Sequence, residues 1–171
     1  QLRGSALWVG AAPPLEITDS TFDDNQIAAF APGEAGAAIF IDGSQRARLL
    51  HNTISSNRDP GLRPALSLLP AAGIGALLQN NWLVDNNGGN CAVLGALLEV
   101  VGGNLSSDAS CRDFLQGGAG QIKPLGQYGG PVPTRPPTSG SAAIDRGGCT
   151  DADSSQALGE DARVVPRPQD G

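Results

Sequence analysis

Methionine is absent from the 171 residues, and aromatic side chains make up only 4% of them. A hydrophobic core therefore has to be assembled from Ala, Val, Ile and Leu. Lysine occurs once (Lys123) and histidine once (His51); the other basic residues are scattered arginines, against a net charge of −6. A nucleic-acid footprint needs a basic patch, and none is visible; the acidic balance reads as a solvated surface. No apolar run approaches the roughly 20 residues of a membrane span. Three Cys without a CxxC spacing, beside one His, exclude a zinc site. No metal or other cofactor is expected. With 24 Gly and 13 Pro, turns are frequent and long helices are excluded. The first residue is Gln, and no signal-peptide core follows it, so a processed or partial product is expected. The length fits one domain or a piece of a larger one, and 40% hydrophobic residues argue for a folded chain.

What is present is a repeat. "STFDDN" (20–25), "NTISSN" (52–57), "NWLVDN" (81–86) and "GNLSSD" (103–108) share an apolar residue followed three positions later by Asn or Asp. Aligned on these stretches, the inner apolar column reads Phe22, Ile54, Leu83 and Leu105, giving repeat lengths of 32, 29 and 22 residues. A second column reads Ile17, Leu49, Leu78 and Val100, and a third Leu15, Ala47, Ala76 and Leu98. Further apolar stretches, "SALWV", "AAIFI", "PALSLL" and "CAVLG", precede the motifs. Repeats of this length signal solenoids or arrays. Each unit holds about three short segments of period-2 alternation broken by Gly, Pro, Asn or Asp, the mark of strands and turns. The pattern predicts an all-β chain, a right-handed parallel β-helix of about four rungs over 1–111. An irregular Gly/Pro-rich segment over 112–171 packs on it or caps it. The apolar columns become interior stacks. Asn25, Asn57, Asn86 and Asp108 close tight turns in the left-handed conformation and form a carboxamide ladder.

The last part of the chain, "YGGPVPTRPPTSGSAAIDRGGCTDAD…GEDARVVPRPQDG", resembles the C-terminal region of bacterial parallel β-helix surface proteins of the choice-of-anchor Q type. Gly129, Gly130, Pro131, Pro133 and Thr134 match the first part of that pattern, and Ser141, Ala143, Ile144, Asp145 and Gly147 the second. Asp161, Arg163, Pro166, Arg167, Pro168, Gln169, Asp170 and Gly171 match the third. The upstream "NTISSN" style of repeat, followed by "GGNC" and "NLSSDASC", is also similar to this family. Arg135 replaces the usual His, and Ala162 and Val164 stand where the pattern has Gln and Gly. The resemblance implies an exported bacterial protein, secreted, periplasmic or on the cell surface, whose solenoid is a scaffold. It also implies that the partner of Cys149 lies in a strand beyond Gly171.

Cys91 and Cys111 are one rung apart, 20 residues, and a disulfide between them suits an exported protein. His51 has no local GxSxG or other nucleophile signature and reads as a strand-end residue. Asp23, Asp24 and Asp85 sit in corresponding turns, the arrangement that paired carboxylates need for glycosidic chemistry. The repeat already explains them as turn residues. "TDADSS" (150–155) opens like a calcium loop but has Gln156 and Ala162 where Gly and Glu are needed. Asp145, Asp161 and Arg163 are expected to form structural ion pairs that pin the C-terminal segment to the last rung.

Two functions follow as expectations. One is a non-catalytic extracellular structural or interaction protein, a rigid subunit whose open solenoid ends are covered by other protein subunits, in a homo-oligomer, filament or larger complex. The alternative is a polysaccharide-binding or polysaccharide-degrading β-helix protein, with Trp8 and Trp82 as sugar platforms; Trp82 is expected to point outward. A groove holding a Trp and two Asp would favour that alternative.

Overall fold

A computed structural model describes residues 6–10, 13–27, 37–43, 46–69, 75–93 and 97–167. Pro168, Gln169, Asp170 and Gly171, part of the C-terminal match, lie outside the described residues. Those described form an all-β structure without helix, in three wholly parallel sheets.

Each repeat unit supplies one strand to each sheet. The first unit holds β1 (Leu7–Val9), β2 (Leu15–Thr18) and β3 (Thr21–Asp23), and the second β4 (Ile39–Asp42), β5 (Ala47–Leu50) and β6 (Thr53–Ser55). The third holds β7 (Leu66–Leu69), β8 (Gly75–Gln79) and β9 (Trp82–Val84), and the fourth β10 (Cys91–Val93), β11 (Leu97–Val101) and β12 (Leu105–Ser106). A last two-residue strand, β13 (Leu115–Gln116), follows Cys111. The sheet orders are β1-β4-β7-β10, β2-β5-β8-β11 and β3-β6-β9-β12-β13, so the chain advances by one strand in every sheet each time it completes a unit. Strands of two to five residues separated by sharp corners are what the frequent Gly, Asn and Asp dictate.

The corners have a repeated conformation. Between the second and third sheets, Asp19, His51, Asn80 and Gly102 take left-handed φ values of 48°, 57°, 56° and 68°. Asp, His, Asn and Gly are the residues that tolerate this region best. After the third sheet, Asp24, Ser56 and Asp85 do the same at 49°, 56° and 55°. The left-handed residue there is the one before each ladder Asn, not the Asn itself. Turning on the preceding residue aims Asn25, Asn57 and Asn86 along the stack, where their amides bond the neighbouring unit.

Ile17, Leu49, Leu78 and Val100 are register partners, as are Leu15, Ala47, Ala76 and Leu98, and both columns pack in the main core. The first sheet adds Leu7, Ile39, Leu66 and Cys91, then Val9, Ile41, Leu68 and Val93. The third column needs a correction. Phe22, Ile54 and Leu83 are partners, but Leu83 pairs with Ser106, and Leu105 stands opposite Trp82. The third step is therefore 23 residues, from Leu83 to Ser106. Leu105 leaves the main stack and is buried on the outer face with Trp82, Val84 and Ile122. Ala142 and Ala143 of the C-terminal segment cover that second cluster. At the far end of the coil Cys111 and Phe114 join the main core and close it.

Candidate functional site

The C-terminal segment folds back along the outside of the corner between the second and third sheets. Asn80 donates through Nδ2 to the Gly148 carbonyl (2.7 Å) and accepts from the Gly148 N–H (3.0 Å). Gln79 accepts from Ala152 N–H at 3.0 Å. Gly103 is in van der Waals proximity to the Arg146 backbone; a Cβ there would lie 1.9 Å from its carbonyl oxygen. Arg48 ties the same segment to two units at once, pairing with Glu16 on β2 and with Asp151 and Asp153.

Where this segment crosses the first two units it leaves a cleft of about 160 Å³. Three guanidinium groups enter it, and each holds a carboxylate. Arg135 donates from Nη1 to Asp23 (2.6 Å) and the Ser56 hydroxyl (2.8 Å), and from Nε to the Lys123 carbonyl (2.8 Å). Arg167 reaches Asp19 at 2.7 Å. Arg163 binds Asp161 within its own turn, 2.8 Å from Nε. Burial works against the Asp161 anion, but the Arg163 side chain and the N–H groups of Arg163 and Val165 hold its pKa below the usual range. His51 also lines the cleft, and its pKa is lowered to about 4, first by burial and then by Arg167; Asp19 and Asp151 oppose the shift. The imidazole is neutral at pH 7, and its Nε2 lies 3.3 Å from Asn80 Nδ2.

This geometry sorts the candidate residues. Asp161 and Arg163 form an ion pair, whereas Asp145 is exposed in a left-handed turn and pairs with no described residue. The residues that clamp the segment are Arg135, Arg167 and Arg48, and they act on the first and second units, not the last. In the third-sheet corners Asp24 and Asp85 are separated by Ser56, so two strand spacings, roughly 10 Å, lie between them. Asp85 accepts the Gly120 N–H and Asp24 lies near Arg58. Asp151 of the calcium-like loop accepts the N–H groups of Asp153 and Ser154 and pairs with Arg48; these bonds hold its pKa low, that to Ser154 first. Trp82 is buried beneath Gly118, Trp8 is 45% exposed, and neither lines this cleft. Cys91 and Cys111 are disulfide-bonded, with Cα atoms 4.9 Å apart, and Cys149 is free and exposed.

The Asn residues form two ladders. In the outer one Asn25 donates from N and Nδ2 to Asn57 Oδ1 (3.0 and 2.8 Å), and Asn57 does the same to Asn86 (2.9 and 2.8 Å). Asn86 then donates to Asn90, not to Asp108, which instead accepts the Asn90 N–H at 3.0 Å. The inner ladder runs from Ser20 through Asn52 and Asn81 to Asn104, all three Asn side chains fully buried. It was legible in "NTISSN", "NWLVDN" and "GNLSSD", but aligning Leu105 with Leu83 put Asn104 one place out of column. The clamping arginines carry no such periodic signal.

Comparison with family models, with curated proteins and with solved structures returns no match for the chain.

Proposed function

We propose that the chain is a right-handed parallel β-helix of the choice-of-anchor Q type, working as a non-catalytic scaffold outside the cell and as a subunit of a surface or extracellular assembly. Right-handed crossovers are the rule for parallel strands, and three parallel sheets advancing in step suit such a coil. In this reading the coil runs on past residue 111 to β13 at Gln116, and the residues after it are the segment laid on it. The disulfide fits an oxidising compartment.

One observation carries the non-catalytic reading. The carboxylates and guanidinium groups that line the cleft are engaged in fastening the chain to itself: Asp19 with Arg167, Arg135 with Asp23 beside it, Asp161 with Arg163; the cleft's other ionisable side chain, His51, joins none of these pairs. A general acid at neutral pH needs a raised carboxyl pKa, and Asp161 is shifted the other way. The same clamps make a stiff body whose outer faces can present loops to partner proteins.

The test joins sedimentation of natively isolated material to a turnover assay on neutral and acidic polysaccharides. A species larger than the chain alone, with no new reducing ends or unsaturated sugars, is the expected result. Polysaccharide turnover abolished by Asp19→Asn or Asp161→Asn would replace the scaffold by the glycan-active alternative.

A further inference from the structure

His51 is the only histidine of the chain, and it stands at the seam between the coil and the C-terminal segment. It belongs to the corner column Asp19, His51, Asn80, Gly102, so Asp19 lies on one side of it along the stack and Asn80 on the other. Asn80 is one of the residues that hold the segment. Its Oδ1 accepts the N–H groups of Gly103 (2.9 Å) and Gly148 (3.0 Å), and its Nδ2 donates to the Gly148 carbonyl (2.7 Å). Beside it Gln79 accepts the Ala152 N–H at 3.0 Å and donates to the Thr150 carbonyl at 2.5 Å. Two consecutive side chains thus clasp residues 148–152.

These bonds decide which way the Asn80 amide points. With two N–H groups on its oxygen and a carbonyl against its nitrogen, the amide cannot be turned over without losing all three bonds. Nδ2 therefore faces His51 Nε2, 3.3 Å away, with its second hydrogen. Nε2 has to accept, which places the imidazole proton on Nδ1. A further proton can go only to Nε2, where it meets a donor instead of a lone pair. The charges around the ring come from both sides of the seam. Asp19 in the first unit's corner and Asp151 in the segment favour the imidazolium, while Arg167 in the segment opposes it. Arg135, Asp161 and Arg163 line the same cleft, each in an ion pair. Burial, and after it Arg167, outweighs the two carboxylates, and the pKa lies at about 4 instead of 6.5.

We infer that His51 and Asn80 form an acid-released latch: protonation of the imidazole at Nε2 breaks the Asn80 clasp on Gly148 and frees residues 148–152 from the corner, while the parallel strands stay paired. In the closed state the proton is excluded. Once the segment lifts, the ring regains water and its proton affinity returns towards the ordinary value. The open state then binds more protons than the closed one, so acid favours it. The advantage of the closed state is complete above pH 6.5 and is lost as pH falls towards 4. Asp151 and Asp161, carboxylates of the segment with lowered pKa values, give up their contributions only at lower pH. The strands hold because their backbone ladders run through neither side chain.

The test compares the whole chain with His51→Asn by residue-resolved amide hydrogen exchange between pH 6.5 and 4, and follows the single imidazole by NMR. The intrinsic exchange chemistry of the Gly148 and Ala152 amides is the same in both proteins, so the ratio of their rates reads segment opening alone. That ratio should rise about tenfold over the interval at Gly148 and Ala152, and stay constant for the amides of β5, β8 and β9. At neutral pH His51 should carry its proton on Nδ1 and leave Nε2 bare. A constant ratio at Gly148 and Ala152, a proton on Nε2 at neutral pH, or titration of the ring near 6.5 would each overturn the latch. A rise shared equally by β5 and β8 would do the same, because acid would then loosen the coil and not the segment.

Discussion

Asn81 is bonded as though it belonged to the backbones of its neighbours. Its Oδ1 accepts from the N–H and Nδ2 of Asn52 (3.1 and 3.0 Å), and its own Nδ2 donates to Asn104 Oδ1 (3.0 Å) and the Leu49 carbonyl (2.7 Å). Truncation leaves several polar groups buried without partners, each of which carries a desolvation penalty. Asn81→Ala should therefore cost about 3 kcal/mol in urea unfolding, whereas Asn25→Ala, at a side chain only partly buried, should cost under about 1 kcal/mol. His51 belongs to the same scale. A base whose folded pKa is near 4 instead of 6.5 contributes stability fully above pH 6.5, and that contribution is lost as pH falls towards 4. The loss should be on the order of 1–2 kcal/mol after allowing for the solvent that reaches the ring. His51→Asn keeps a residue suited to the left-handed corner, as Asn80 is one unit on. The variant should remain folded and show a flat stability profile between pH 6.5 and 4, read by denaturation at a series of pH values. Asp59, Asp151 and Asp161, all with lowered pKa values, release their contributions only at lower pH. Apart from Leu105, the apolar columns could be read from alternation alone. The corner column Asp19, His51, Asn80, Gly102 could not, because four different residue types meet one backbone requirement.

Among the elements, the fourth unit is where the repeat fails and where the sequence was hardest to read. Its strand β12 has two residues, its inward position is Ser106, and Leu105 turns outward onto Trp82. An alignment of like with like puts Leu105 under Leu83, but burial on the outer face is equally available once the C-terminal segment covers that face. Val100, only partly buried, also shows that the core thins there. The disulfide compensates at this point, joining the start of β10 to the loop after β12 across 20 residues. In the chain-entropy view a loop of this size contributes about 3 kcal/mol. Reduction, or Cys91→Ser with Cys111→Ser, should lower stability by about that amount in urea unfolding. The loss should be local. Amide exchange should accelerate in β10, β11 and β12 while β5 and β8 keep their protection, because the backbone ladder of each unit bonds only to its neighbours.

For the whole molecule, the question is what makes a stack of short strands and a segment without regular sheets behave as one body. Hydrophobic cover contributes through Trp82, Leu105 and Ile122, but most of the seam is polar, and there the depth of each pair decides its worth. Arg58 and Asp24 approach to 3.6 Å with side chains 63% and 53% exposed, so solvent screens them. Arg135 and Asp23 lie at 2.6 Å with side chains 13% and 11% exposed, and Arg135 also bonds Ser56 and the Lys123 carbonyl. Removing one partner of such a sheltered pair strands the other charge. Arg58→Ala should change stability by less than about 0.5 kcal/mol, and Arg135→Ala should cost about 2–3 kcal/mol. The second loss should be visible as position as well as magnitude. Limited proteolysis of Arg135→Ala should open the segment around residues 119–150 first, leaving the strands up to Gln116 intact, because β3 to β13 are held by their own ladders and the segment is held by its clamps. Cleavage that begins instead within the repeat units would mean that the segment and the coil stand or fall together, and that Arg135 supports the strands themselves.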